Sequence, residues 1–404
     1  MMNNVKKVPE IRFKGYDNVW YKNKLSELCD VRDGTHDSPK YLDKGYYFIT
    51  SKNVKKGYIN FDEINFISKE DYDNINKRSK VDIGDILFGM IGTIGNIAIV
   101  RKEPNYAIKN VALIKDIQKV YNYFNYYFLQ SPNIENQLDS GLDGGTQKFI
   151  SLKSIRGLDV IFPKYEEQSQ IGNFFKNLDE KLELEKEKHE KLISFKKTMF
   201  EDMFPKKGKK VPKVRFKGFD DEWENFKIED IGDVRTGKTP QTSDSSNYSD
   251  NGILFITPTD IKSNITRTTE RCLSNKGSLL STIVEPGTTL VTCIASIGKN
   301  TLIEERSAFN QQINSITPYN SNPYFIYTLS YKWSEKMRIM AATGTMQIVN
   351  KKEFSKINTL IPSPEEQALI GNFFKNLDEK IELSEQKIQK IENFKKAMLD
   401  KMFV

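Results

Sequence analysis

Two α/β domains of similar fold, separated by a pair of long antiparallel helices, are what this 404-residue sequence predicts, in an α+β chain with an internal pseudo-two-fold repeat. Three observations carry that expectation. Residues 166–204 and 365–403 are one segment written twice, EEQSQIGNFFKNLDEKLELEKEKHEKLISFKKTMFEDMF against EEQALIGNFFKNLDEKIELSEQKIQKIENFKKAMLDKMF, ungapped at an offset of 199 and identical at 24 of 39 positions. An opening signature is also repeated, VPEIRFKGYDNVW (Val8 to Trp20) returning as VPKVRFKGFDDEW (Val211 to Trp223) at an offset of 203. Between signature and helix the two units diverge, keeping only a faint common frame such as YFITSKNVKKG against LFITPTDIKSN. A scaffold held while its middle varies suits a device that reads two different things, whereas a symmetric enzyme would repeat its chemical residues too.

The repeated segments read as helices. Leu178, Leu182, Glu185, His189 and Leu192 recur at alternating spacings of four and three, followed by Phe195, Met199 and Met203. Leu377, Ile381, Ser384, Ile388, Ile391, Phe394, Met398 and Met402 take the same places in the second copy. A seam of period about 3.5 between Glu/Lys-rich flanks predicts coiled-coil packing, and the matching partner for each helix is the other copy. At 1.5 Å per residue each would make a rod of roughly 58 Å. Pro163 and Pro362 precede the helices and Pro205 follows the first, as starts and a stop should. The polar seam members Glu185, His189 and Ser384 would lie near mid-rod.

The divided chain is then residues 1–163, a first variable domain; 164–204, the central helix; 205–363, a linker and second variable domain; and 364–404, the C-terminal helix. The variable parts read as short strands at Tyr46–Thr50, Asp85–Met90, Ile94–Val100, Ile253–Thr257, Thr288–Ile294 and Asn300–Ile303, with glycine turns between them. Helical stretches are expected around Tyr121–Gln130 and Pro323–Met340. KKGKK (Lys206 to Lys210), between Pro205 and Pro212, reads as the linker.

Net charge is +7, but the two helical segments together carry −3, so the variable regions hold +10. That placement suits a polyanion such as DNA. No run of about 18 apolar residues exists to span a membrane, and the N-terminus lacks the apolar core of a secretory signal, which points to the cytoplasm. Cys29, Cys272 and Cys293 are isolated, with neither disulfide nor zinc-site spacing.

Catalytic signals are thin. Gly232-Asp-Val-Arg-Thr-Gly237-Lys238-Thr239 satisfies the GxxxxGK[ST] pattern of a phosphate loop, but a genuine one needs an apolar strand before it and a helix after it. NFKIEDI precedes it and TPQTSDSSNYSDNG follows it; this is a polar loop offering Arg235, Lys238, Thr239 and Gln241. That the chain has only His36 and His189 argues against a histidine-based metal site or hydrolytic triad. Asn322-Pro323-Tyr324-Phe325 lacks the second proline of the asparagine-proline-proline-aromatic motif of methyltransferases that act on amino groups and reads as a helix start. Asp82 and Asp85 have no Glu-x-Lys beside them and read as turn residues.

Amide, hydroxyl and basic side chains are abundant in the loops. Asn and Gln suit adenine, Arg and Lys suit guanine or phosphate, and Ser and Thr serve either. Candidates for DNA contact are Thr35, His36, Lys40, Tyr41, Ser51, Lys52, Asn53, Lys109, Asn110, Gln147 and Lys148 in the first unit. In the second they are Arg235, Lys238, Thr239, Gln241, Thr257, Thr259, Asn310, Gln311, Gln312 and Gln347.

Taken together, the doubled opening signature, the loops Gly34-Thr35-His36 and Gly237-Lys238-Thr239-Pro240, two Phe-Ile-Thr strands, the segments Gly145-Thr146 and Gly344-Thr345, and two PxxEEQxxIGxFFxxLDxx[LI] helices resemble the DNA-specificity subunit of Type I restriction-modification systems over nearly the whole chain. The resemblance implies two target-recognition domains, each reading half of an interrupted site in double-stranded DNA, and a coiled-coil ruler between them. It implies that two methyltransferase subunits dock on the chain and that restriction subunits join for cleavage. It also implies no active site and no cofactor here, S-adenosylmethionine, ATP and Mg belonging to the partner subunits. The first unit departs from the pattern at Thr35-His36, where the second has Lys238-Thr239-Pro240. A basic nucleic-acid- or protein-binding adaptor without sequence readout is the alternative, and it would bind DNA in a salt-dependent but sequence-indifferent way. A self-sufficient nuclease or methyltransferase would show activity as the purified chain alone.

Overall fold

The structure is a computed structural model that describes residues 8–92, 94–140, 149–343 and 348–404. Packing divides the chain into two compact units, Met1–Lys186 with Lys387–Val404, and Glu187–Gln386. The division runs through both long helices, Tyr165–Met203 and Pro364–Lys401, whereas the sequence boundaries set each helix apart as its own segment. The physical reason is that each half-helix packs on the opposite half of its copy.

In the first unit the strands are β1 (Tyr21–Lys24), β2 (Cys29–Asp33), β3 (Tyr46–Thr50), β4 (Asn65–Ile67), β5 (Ile86–Gly89), β6 (Ile97–Ile99), β7 (Tyr106–Lys109), β8 (Val111–Asp116) and β9 (Asp159–Phe162). They form an antiparallel sheet in the order β2-β8-β5-β6, a three-stranded sheet β4-β3-β7 in which β3 and β7 run parallel, and an antiparallel pair β1-β9. The central strands read as unbroken apolar runs because both faces are covered. Ile86, Phe88, Ala112 and Ile114 enter the core that holds the aromatic helix Asn122–Phe128, while Leu87, Val111 and Leu113 alternate into a second core on the other face.

The second unit repeats the plan with β10 (Glu224–Lys227), β11 (Gly232–Thr236), β12 (Tyr248–Ser249), β13 (Ile253–Ile256), β14 (Cys272–Leu273), β15 (Thr282–Val284), β16 (Thr289–Thr292), β17 (Asn300–Leu302), β18 (Ser307–Phe309), β19 (Ile313–Pro318) and β20 (Asn358–Ile361). Its sheets are β11-β19-β16-β17, β12-β14-β13-β18-β15 and the pair β10-β20, with β13 and β18 parallel. Where the first unit uses aliphatic side chains, this one buries polar ones that satisfy each other. Thr288 and Thr317 share a hydrogen bond of 2.8 Å, as do Thr236 and Asn314 at 2.7 Å.

Each unit holds half of each long helix, and within each the two segments run antiparallel. In the first, Asp179 pairs with Lys395, Lys186 with Glu392, and Phe175 stacks on Phe403. In the second, Asp378 pairs with Lys196, and Phe374 meets Phe204. Leu178, Leu182, His189 and Leu192 are half-buried, as are Ile381 and Ile388, while Leu377 and Ile391 are fully buried. Phe195 and Phe394 lie at the edge of this seam: each is 47% exposed yet packs edge-on against a phenylalanine of the other helix, Phe394 on Phe174 and Phe195 on Phe373. Beside them are Lys196 and Lys395, whose ammonium groups reach Asp378 and Asp179.

Candidate nucleic-acid interface

Three loops meet where two parallel strands end, and they do so in both units. In the first, the backbone of Thr35 bridges to Lys109, and Thr35 N–H donates to Ile108 O at 3.0 Å. This lays the loop after β2 against the turn between β7 and β8. The turn after β3 joins them, since Thr50 is the strand partner of Lys109 and Ser51 Oγ donates to Asn110 O. Gly34 permits the approach: a Cβ there would lie 2.3 Å from Ile108 O. The second unit copies the backbone. Lys238 N–H donates to Phe309 O and Asn310 N–H to Ile256 O, both at 3.0 Å, and a Cβ on Gly237 would lie 2.0 Å from Asn310 O.

The side chains on this common backbone differ. In the first unit His36 lies between Asp33 Oδ2 on Nε2 and Asn110 Oδ1 on Nδ1, both at 2.9 Å. Asp33 is buried and takes Arg78 on its other oxygen. The hydrogen bonds to Asn110 and Asp33 hold the His36 pKa above its ordinary value, against the opposing pull of Arg78. Lys109 Nζ donates to Ser38 Oγ. In the second unit Thr239 Oγ1 donates to Gln311 Oε1, and Gln312 Oε1 accepts from Asn310 Nδ2 at 3.1 Å.

Of the expected contact residues, His36, Lys40, Tyr41 and Lys52 are exposed in the first unit, and Arg235, Lys238, Gln241, Thr259 and Gln311 in the second; Thr35, Lys109, Asn110, Thr239, Thr257 and Gln312 are half-buried at the same loops. Ser51, Asn53 and Asn310 are buried and spend their polar atoms on the scaffold. Asn53, for example, takes Thr50 N–H and donates to Asn60 O and Glu63 O. Thr257 closes its turn on Asp260 Oδ2 at 2.6 Å, and Arg235 folds back on Asp233. Gln147, Lys148 and Gln347, with the Gly145-Thr146 and Gly344-Thr345 segments, lie outside the described residues. Sequence reasoning missed Asp33, Ser38 and Arg78. The aspartate and arginine read as ordinary strand and helix charges until the fold brings them together across 45 residues.

The GxxxxGKT segment has a physical role other than phosphate binding. Its first five residues, Gly232–Thr236, are β11, paired with β19, and beyond Thr239 the chain enters a turn and the short 3-10 helix Ser245–Asn247. No helix N-terminus therefore stands behind Gly237. Asp82 and Asp85 are clamped by Lys115 at 2.8 and 2.7 Å. Burial pushes the Cys29 thiol up to about 12 and that of Cys293 to about 11, which leaves both as inert core groups. Among the described residues no three His, Cys, Asp or Glu side chains are placed to hold a metal, and no helix is long and apolar enough to cross a membrane.

Comparison with known proteins agrees with this doubled architecture. The family described as Type I restriction modification DNA specificity domain matches residues 18–193 and again 220–393. The MjaX type I restriction enzyme specificity subunit of Methanocaldococcus jannaschii is 22% identical over 401 residues, covering 94% of this chain and 92% of that one. The crystal structure of a Type I restriction-modification S subunit from M. genitalium superposes with a TM-score of 0.67 at 14% identity, over 98% of this chain and 99% of the other. A chain from a structure describing complex assembly and conformational transition of the type I restriction-modification system gives 0.54 at 16% identity, over 95% and 97%. The chain belongs to the Type I restriction-modification DNA specificity family, as a non-catalytic DNA specificity subunit with two target-recognition domains.

Proposed function

We propose that each recognition domain reads one half of an interrupted site in double-stranded DNA, and that the paired helices set the gap between the halves. The observation that carries this reading is the loop cluster at the ends of the parallel strands. One backbone frame is built twice, and it offers His36, Lys109 and Asn110 in one unit against Lys238, Thr239 and Gln311 in the other. Different donors and acceptors on one frame are what two different half-sites require. The basic surplus of the variable regions supplies the sequence-independent phosphate attraction.

The long helices are the docking surface for two methyltransferase subunits in this reading. Each helix pair exposes a leucine and a phenylalanine, Leu184 (67%) and Phe394 (47%) in the first unit and Leu383 (64%) and Phe195 (47%) in the second, where Ile193 and Leu369 are exposed as well. A repeated exposed apolar feature suits a partner that binds twice. Restriction subunits join the complex for cleavage, the site of action is the cytoplasm, and S-adenosylmethionine, ATP and Mg are held by the partners. The test is co-expression with the methyltransferase subunit, capture of genomic fragments at about 0.15 M salt, and sequencing of the retained DNA. A two-part motif with a fixed gap is expected; retention without a motif would favour a basic adaptor.

A further inference from the structure

In both units the loop after the first core strand donates a hydrogen bond to a side-chain amide oxygen on the turn that follows the parallel strand. In the first unit the donor is His36 and the acceptor Asn110 Oδ1; in the second the donor is Thr239 and the acceptor Gln311 Oε1. The two loops are equivalent by backbone bonding. Gly34 N–H donates to Val111 O and Gly237 N–H to Ile313 O, and the next residue of each loop donates to the carbonyl that ends the parallel strand's core, Ile108 or Phe309. The turn is one residue longer in the second unit. Nδ2 of Asn110 and Nε2 of Gln311 have no protein partner among the described residues; Asn110 is half-buried in its unit and Gln311 exposed in the other.

We propose that Asn110 and Gln311 are the base-reading residues of the two domains, each held by its clamp, His36 or Thr239, with its amide N–H donors presented to the major groove. This rests on the half-site reading given above. A carboxamide whose oxygen is already taken matches base acceptors, guanine O6 and N7, adenine N7 or thymine O4, rather than donors such as adenine N6–H or cytosine N4–H. His36 and Thr239 are positioning residues, acting through the amide they hold.

The two clamps differ in one testable respect. Asp33 Oδ2 and Asn110 Oδ1 are both acceptors, so the ring that satisfies them donates from both nitrogens and is the imidazolium. The charged groups around it are Asp33 of β2, Arg78 of the helix Lys69–Ser79 on the far oxygen of Asp33, Lys109 at the end of β7, and Asp37 next in the loop. As pH rises through the elevated pKa of His36, Asp33 keeps the N–H on Nε2 and Nδ1 becomes an acceptor. Asn110 then turns over to donate to it, and its oxygen faces the DNA. The first domain therefore changes from reading an acceptor to reading a donor, while the threonine clamp of the second does not titrate.

The experiment is sequencing of genomic DNA retained by the complex of the full chain with its methyltransferase subunit, at about pH 6 and about pH 9, for wild type, H36A, H36T and T239A. The expected result is that one position of one half-site shifts its base preference by about tenfold between the two pH values in wild type. H36T should keep the low-pH preference at both pH values, H36A should relax that position at both, and T239A should relax one position in the other half-site only. In each variant the unaltered half-site is the internal proof that the chain is folded. A two-part motif that is unmoved by H36A and T239A, a pH response that survives in H36T, or both substitutions acting on the same half-site would overturn the clamp while leaving the specificity reading intact. Absence of any two-part motif in wild type would overturn both.

Discussion

Arg12 and Arg215 each lay a guanidinium flat against a buried carboxylate, and these pairs explain two of the most repeated residues in the chain. Arg12 Nε and Nη2 reach Glu167 at 2.6 and 2.7 Å, and Arg215 reaches Glu366 at 2.7 and 2.9 Å. Both glutamates are 0% exposed. The fork geometry is charge-assisted on both prongs, and it ties the opening signature of each unit to the first turn of its long helix. Both motifs are visible in the sequence as repeats. Their partnership is not, since it spans 155 and 151 residues and neither RFKG nor EEQ names the other. Arg215→Ala leaves Glu366 buried without a counter-charge, and such truncations cost about 3–5 kcal/mol. Denaturant unfolding should show a loss of that size for R215A, a similar one for E366A, and a double mutant well short of their sum. A loss below about 1 kcal/mol would mean the carboxylate finds water.

At the scale of elements, the LDE of each repeat was legible as part of a helix but not as an anchor. Asp179 accepts from Tyr127 Oη at 2.8 Å and Asp378 from Tyr324 Oη at 2.7 Å, joining the long helix to the aromatic helix of its own unit, Asn122–Phe128 in the first and Pro323–Thr343 in the second. Burial, reinforced by the aspartate, holds both phenols well above their ordinary pKa. The glycine of IGNFF has the same origin. A Cβ at Gly172 would lie 2.8 Å from Phe124 N and one at Gly371 3.0 Å from Phe325 N, so the aromatic helix can dock only there. The position of β5 was readable because it is apolar on both faces, whereas β8, equally apolar, was not among the expected strands. Sheet order was not readable because the parallel pairs β3–β7 and β13–β18 join residues such as Tyr47 with Tyr106 and Leu254 with Ser307 and local pattern carries no register across such a gap. Heptad counting placed Phe195 and Phe394 in the seam, and each does pack on a phenylalanine of the other helix. Their 47% exposure was not legible from spacing, and that exposed apolar surface belongs to the proposed partner-docking face. Leu184→Asp with Leu383→Asp should leave the chain folded, since both side chains are more than 60% exposed, and reduce co-purification of the methyltransferase subunit at least tenfold. Undiminished recovery would move the docking surface elsewhere.

For the whole molecule, the repeat separates two quantities that a single domain would confound, namely what is read and how far apart the readings are. The proposed base-reading residues, Asn110 and Gln311, lie on loops at the ends of parallel strands, and the long helices Tyr165–Met203 and Pro364–Lys401 contribute none of the candidates. Exchange of residues 24–145 for another variable region should therefore alter one half-site and leave the other half and the gap unchanged. Insertion of one heptad into each helix keeps the a/d seam in phase and lengthens it by about 10.5 Å at 1.5 Å per residue. Since B-DNA rises about 34 Å per turn of roughly ten base pairs, the gap should grow by about three base pairs with both half-sites retained. Four residues in place of seven would break the seam register and should cost stability rather than shift the gap. Methylation mapping of the two insertions distinguishes these outcomes. An unchanged gap after the heptad insertion would show that DNA bending or domain reorientation, rather than helix length, sets the distance, because the half-sites themselves would still be read by untouched loops.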